Sequence, residues 1–170
     1  LTFPEPSPHA ADAHRDPSAF RDGLARMATS VCVITTEVES GRHGFTANSV
    51  VSVSADPPLI GVFLATTAEC HEAFAHARTV AVNVLADGQE RLSTLFATRG
   101  ADKFGSAEFA RGDLGAPVLP GAAVILEGGV HARHSAGDHT MFLVDVARVR
   151  AGKTAPLVYQ GRRFRRLAAA

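Results

Sequence analysis

Apolar and polar positions alternate with a period of two along most of this chain, and only three stretches repeat every three or four residues. The first helical stretch begins with Asp16 as cap and Pro17 at its first position, and carries Phe20, Leu24 and Met27 on one stripe. The second follows Thr66 or Thr67 as cap, with Glu69 three residues after Thr66 in the spacing of a capping box. The third opens with Asp87 and Glu90 and carries Leu92, Leu95 and Phe96.

The rest predicts strands. An apolar run over 31–36 leads into a turn at 40–44, and 44–54 reads as one long strand. Asp56-Pro57-Pro58 ends that strand, because two prolines withdraw ladder donors. Further strands are predicted at 59–64 and 80–85. Two long ones, at 122–134 and 139–150, flank the hairpin signal Ser135-Ala136-Gly137-Asp138, and Leu157-Val158-Tyr159 reads as a short last strand. Many strands with few helices predict a mainly β fold, a closed antiparallel barrel in preference to a layered α/β sheet. Residues 1–15, with Pro4, Pro6 and Pro8 and no periodicity, read as a flexible N-terminal arm, and 16–167 as a single domain. No G-x-G-x-x-G follows a strand, so a Rossmann nucleotide site has no support.

Composition narrows the classes. In 170 residues with 46% apolar content, 17 basic side chains balance 17 acidic ones, which argues against nucleic acid or an anionic membrane as partner. The run Arg162-Arg163-Phe164-Arg165-Arg166 reads as a solvated edge or tail, though an arginine there can still meet a nucleotide phosphate. Cys32 sits in an apolar run as a small core residue, and neither it nor Cys70 belongs to a C-x-x-C pair, which is cytosolic cysteine usage. No apolar run reaches membrane-spanning length and no signal-peptide pattern opens the chain, so a cytoplasmic protein is expected. His131, His134 and His139 do not form a metal site: 131 and 134 fall on opposite faces of a strand, and no ligand spacing completes a set.

The candidate chemistry lies in the strand at 46–54. Alternation puts Thr46, Asn48, Val50, Ser52 and Ser54 on one face, and Ala47, Ser49, Val51 and Val53 on the other. A half-exposed strand ordinarily carries charges, whereas this one offers amides and hydroxyls, which suit a flat, uncharged ligand rich in heteroatoms. The alternative is a barrel strand whose hydroxyls are satisfied by neighbouring backbone, and the pattern leaves both open. Thr67 at a helix start reads as a cap, or as a cap that also seats an anion. Lys103 reads as an exposed loop charge, or as a cation screening a phosphate.

Thr46-Ala47-Asn48-Ser49 followed by Ser52-Val53-Ser54-x-Asp56-Pro57-Pro58 resembles the hallmark segment of the flavin reductase-like split-barrel family, the small reductases that supply reduced flavin to two-component monooxygenases. The resemblance runs from about Phe20 to Leu167, through Met27-Ala28-Thr29-Ser30-Val31, Thr67-x-x-Cys70-His71, Val80-Ala81-Val82-Asn83-Val84-Leu85, Asp102-Lys103-Phe104, Gly137-Asp138-His139 and Pro156-Leu157-Val158-Tyr159. It implies a split β-barrel of the FMN-binding flavin reductase type and a homodimer that binds FMN or FAD in a groove near the interface. It also implies NADH or NADPH as reductant and a flavin-dependent oxygenase as the receiver of reduced flavin.

The residues it implies at the cofactor are Thr29, Ser30, Thr46, Ala47, Asn48, Ser49, Ser52, Val53, Ser54, Thr67, Cys70, His71, Asn83, Lys103, Phe104, Gly137, Asp138 and Tyr159. His139 is implied as the group that positions the nicotinamide, with no covalent role, and no metal is implied. Ser30 stands where the family usually has glycine, so this backbone does not need a positive φ. Hydride transfer between nicotinamide and flavin needs no protein nucleophile, which accords with the lack of a Ser-His-Asp pattern. Two other activities stay open: a split-barrel protein that binds flavin or haem without turnover, and a tightly flavin-bound enzyme acting on its own organic substrate.

Overall fold

The computed structural model describes residues 16–105 and 107–167, so the arm expected at 1–15 lies outside the described residues. In chain order the elements are α1 (Pro17–Ala25), β1 (Thr29–Ser30), β2 (Cys32–Val38), β3 (Gly41–Ala47), β4 (Val50–Ala55), β5 (Pro58–Ala65), α2 (His71–His76) and β6 (Thr79–Val84). Then follow α3 (Glu90–Ala97), β7 (Ala110–Arg111), β8 (Pro117–Val118), β9 (Val124–Ala136), β10 (His139–Ala151), β11 (Val158–Gln160) and β12 (Arg163–Arg165). The fold is mainly β with a few helices, as the alternation predicts.

Seven strands form one antiparallel sheet in the order β3-β2-β6-β9-β10-β5-β4, and β1, β11 and β12 form a second, smaller one. The expected closed barrel is not what the hydrogen bonding draws: β3 and β4 stand at opposite ends of the ladder and are not paired. The long strand expected over 44–54 is likewise two strands. The chain turns at Asn48 and Ser49, between Ala47 and Val50, and leaves one edge of the sheet for the other. The polar–apolar spacing of the sequence runs on across this corner and shows no break, but the buried face changes: Phe45 and Ala47 face the core before it and Val50 after it, while Val51 and Val53 are exposed.

The β2–β3 turn is tighter and earlier than 40–44. Val38 pairs with Gly41 across Glu39 and Ser40, and Gly41 adopts the left-handed conformation with φ +109°. At the other predicted hairpin, β9 and β10 meet across Gly137 and Asp138, with Gly137 at φ +66°.

Strand β2, one in from the β3 edge, is buried on both faces over most of its length, which explains its apolar run. Cys32 and Ile34 join Phe45, Val62, Leu64, Phe74, Val82 and Phe142 in one core, where Phe74 packs edge-on against Phe45 and Phe142. Val31 and Val33 point the other way, to Leu85, Phe96, Leu119 and Leu157.

Helix α1 starts as predicted: Asp16 Oδ1 accepts from the backbone N–H of Ser18 and Ala19, and Pro17 occupies the first turn. Its apolar stripe is not buried against the chain, since Phe20, Leu24 and Met27 are 67%, 50% and 58% exposed. The capping box expected at Thr66 is absent: α2 begins at His71 with Cys70 as its cap residue. Thr66 Oγ1 donates instead to the Asp138 carbonyl, and Glu69 accepts from Gly100 N–H. Asp87 also lies outside α3, where it pairs with Arg166 at 3.1 Å. The arginine run expected as a solvated edge or tail is an edge: β12 is the exposed outer strand of the small sheet, paired with β11.

Candidate functional site

One open groove runs along the face between β3, α3 and the loops before α2 and after α3. At one end a cavity of about 360 Å³ is lined by Val31, Thr46, Asn48, Thr94, Ala97 and Tyr159 among others. It shares Thr46 and Ala97 with a middle cavity of about 290 Å³, which adds Cys70, Arg99, Lys103 and His139. The middle cavity in turn shares Glu69, Cys70 and Lys103 with a third, of about 360 Å³, walled by Arg42, Gly44 and Phe104.

Local sequence builds this groove. Gly44 lets α3 lie close on β3, with Phe96 over it. Thr46 Oγ1 donates to the Ser93 carbonyl at 2.6 Å, pinning α3 to β3 and leaving the hydroxyl oxygen as an acceptor. The loop after α3 is held to the loop before α2 by two bonds: Arg99 Nη2 donates to the Thr67 carbonyl at 2.6 Å, and Gly100 N–H donates to Glu69 Oε2 at 3.0 Å. That loop carries Lys103, whose Nζ donates to the Gly44 carbonyl at 3.3 Å, and Phe104, whose ring lies 4.9 Å under the Arg42 guanidinium. Burial raises the Cys70 thiol above its ordinary pKa, with nearby Lys103 working in the opposite direction.

The hairpin tip closes the middle cavity. His139 Nδ1 lies 2.7 Å from Asp138 Oδ1, and the Asp138 carbonyl accepts from both Thr66 N–H and Thr66 Oγ1. The bond from His139 holds the exposed Asp138 carboxyl below the usual carboxylate range.

The structure therefore brings together Thr46, Asn48, Tyr159, Cys70, Lys103, Phe104 and His139 on one groove. Gly137 and Asp138 stand beside it at the tip. Thr29 and Ser30 pair with Tyr159 and Val158 at the Tyr159 end, and Ser49 is at the exposed corner. His71 turns to Thr140, with Nε2 2.9 Å from its Oγ1.

Several expected site residues lie elsewhere. Ala47 points into the core. Ser52, Val53 and Ser54 lie on β4 at the far edge of the sheet, a consequence of the corner at 48–49. Asn83 is fully buried, donates to the Val33 carbonyl and Thr35 Oγ1, and accepts from Leu119 N–H at 2.7 Å. Its amide is consumed by the fold. Thr67 is not at a helix N-terminus, because α2 starts four residues later, so the expected anion seat is not built there. Sequence reasoning missed Arg42, Ser93, Thr94 and Arg99. Glu69 was legible only as a capping partner.

Residues 24–168 match the family model described as "Flavin reductase like domain". The chain is 43% identical over 152 residues to the NADH:riboflavin 5'-phosphate oxidoreductase of Streptomyces pristinaespiralis, covering 87% of this chain and 86% of the relative. The Streptomyces globisporus C-1027 NADH:FAD oxidoreductase SgcE6, solved with NAD and FAD fragments, superposes with a TM-score of 0.85 at 34% identity, covering 90% of this chain and 93% of that one. BorF, the flavin reductase component of a bacterial two-component tryptophan halogenase, superposes with a TM-score of 0.81 at 33% identity, over 88% of this chain and 97% of its own.

Proposed function

The chain belongs to the flavin reductase-like family, and on that premise we propose that it catalyses NADH-dependent reduction of FMN or FAD and delivers the reduced flavin to a partner oxygenase. The observation that carries this reading is the single groove, uncharged at one end, where Thr46, Asn48 and Tyr159 stand, and charged through the middle and the other end, where Arg99, Lys103 and Arg42 stand with Glu69 and Asp102. A flavin has the same polarity sequence, from a neutral heteroaromatic ring to an anionic tail. The two rings supply the hydride chemistry when both are bound.

The chain's own residues bind and orient. The Asn48 amide and the free acceptor of Thr46 meet the ring edge, and Lys103 meets the phosphate. His139 positions the nicotinamide from the hairpin tip. These residues would contribute to rate by orienting the two cofactors when both are bound, since orientation removes an entropic barrier.

Further parts of the reading follow. The unburied side chains of Phe20 and Leu24 on α1, of Met27 just after it, and of Val51 and Val53 on β4 suit a homodimer that deepens the groove. Asn48 and Ser49 join the two edge strands, which supports a split barrel as the description of the fold. On this reading residues 16–167 act as one domain, and use of a reduced pyridine nucleotide suits a cytoplasmic reaction.

The test is steady-state oxidation of NADH and NADPH with FMN, FAD and riboflavin in turn. Consumption proportional to free flavin is expected. Flavin binding without NADH consumption would make the protein a binder, and a need for an added organic substrate would make it a different enzyme.

A further inference from the structure

We propose that Asp138 is a positioning residue that fixes the tautomer of His139, so that Nε2 reaches the groove as a hydrogen-bond acceptor for the carboxamide N–H of the nicotinamide. The inference rests on the preceding reading that nicotinamide docks beside His139. It begins with geometry. An ionised carboxylate has only acceptors, so at 2.7 Å from Asp138 Oδ1 it is Nδ1 that carries the hydrogen. In the neutral ring the unprotonated nitrogen is then Nε2.

The backbone holds the two residues side by side at the hairpin tip. His139 is paired with Ala65 on one side and Ala136 on the other, and the Asp138 carbonyl is held by both donors of Thr66. A lowered Asp138 pKa keeps the carboxylate ionised through neutral pH. The other charged or titratable groups on the same cavity are Glu69, Cys70, Arg99 and Lys103. Glu69 and Arg99 are engaged with Gly100 N–H and the Thr67 carbonyl, and Lys103 with the Gly44 carbonyl. None of them is bonded to the imidazole. Without Asp138 the ring would divide between its two tautomers and present a donor to the groove part of the time. A carboxamide N–H meets repulsion from that donor.

The experiment compares reduced nicotinamide adenine dinucleotide with its reduced 3-acetylpyridine analogue, which lacks the amide N–H donors. Wild type is expected to favour NADH in KM by roughly 2- to 12-fold, the range of one hydrogen bond. His139→Ala and Asp138→Ala should both lose that preference with flavin KM unchanged. Asp138→Asn should recover most of it, because Asn Oδ1 can accept from the same Nδ1–H. Nitrogen-15 shifts of the imidazole should report the Nδ1–H tautomer in wild type and a mixture in Asp138→Ala, independently of turnover. If His139→Ala keeps the preference, nicotinamide does not dock at His139 and the underlying reading falls. If His139→Ala loses it while a folded Asp138→Ala keeps both preference and tautomer, Asp138 only forms the turn and the inference is overturned.

Discussion

Gly44 and Phe96 lie so close that a methyl group on Gly44 would stand 2.7 Å from Phe96 Cε1 and 2.9 Å from the Ile34 carbonyl oxygen. This contact seats α3 on β3 and sets the floor of the groove. Gly44→Ala should therefore destabilise the fold by about 1–3 kcal/mol through overpacking. Gly23→Ala on α1 meets nothing within 4 Å and should be neutral or stabilising. Thermal melts of the two variants check the contrast, and equal melting temperatures would remove the packing argument.

Asn48 is exposed at the corner between β3 and β4 and lines the groove. Asn48→Leu should leave the melting temperature nearly unchanged while weakening flavin binding by roughly 5- to 150-fold, the range for a lost polar contact. Fluorescence titration with FMN and FAD measures it. Wild-type affinity would take Asn48 out of the site.

Asn83 should behave in the opposite way. Asn83→Leu leaves Leu119 N–H and the Val33 carbonyl without their buried partners, each worth about 1–3 kcal/mol. Denaturation should show a large loss of stability, and the folded fraction should bind flavin as wild type does. A stable variant with weakened flavin affinity would return Asn83 to the ligand.

Lys103→Gln separates phosphate from ring. Affinity for FMN and FAD should fall by roughly 10- to 150-fold, as for a charged hydrogen bond, while affinity for riboflavin stays put. A parallel loss for riboflavin would show that Lys103 acts by holding Gly44 and its loop, and not by meeting phosphate.

The two thiols should differ in alkylation. Burial pushes the Cys32 pKa up to about 12, so its thiolate is scarce at neutral pH and the native protein should protect it completely. Cys70 lines the groove beside Lys103, so saturating flavin should slow whatever labelling it shows. Mass spectrometry after iodoacetamide treatment, with and without FMN, reads both residues.

Local features were legible where one residue type dictates one geometry. Asp16 and Pro17 announced α1, and Gly137 with Asp138 announced the long hairpin. The corner at Asn48 is hidden because the spacing of polar and apolar residues in the sequence runs on through it, and only the pairing of β3 with β2 and β4 with β5, with the buried face passing from Ala47 to Val50, reveals it. Asn83 enters the expected site only through the family resemblance, with no argument from its own strand. A buried amide can serve either a ligand or the backbone, and only its neighbours decide. Thr66 and Glu69 had the spacing of a capping box, but each found a partner far along the chain, in Asp138 and Gly100. The arginine run lies at a solvated edge, as its composition suggests: β12 is the exposed outer strand of the small sheet, and Arg162 just before it pairs with Asp22 of α1.

The strand order has a kinetic consequence. Within the seven-stranded sheet three ladders, β2–β3, β4–β5 and β9–β10, join neighbours and can form early as hairpins. The sheet is completed only when distant segments meet, as Val33 meets Asn83, Val82 meets Leu126 and Leu64 meets Thr140. A chain with so many non-local pairings folds on the order of milliseconds to seconds, not microseconds. During that interval β3 and β4, consecutive in sequence, must separate to opposite edges while β2, β6, β9, β10 and β5 assemble between them. A nascent chain that instead paired β3 with β4 as a simple hairpin would have to undo that contact before reaching the native order.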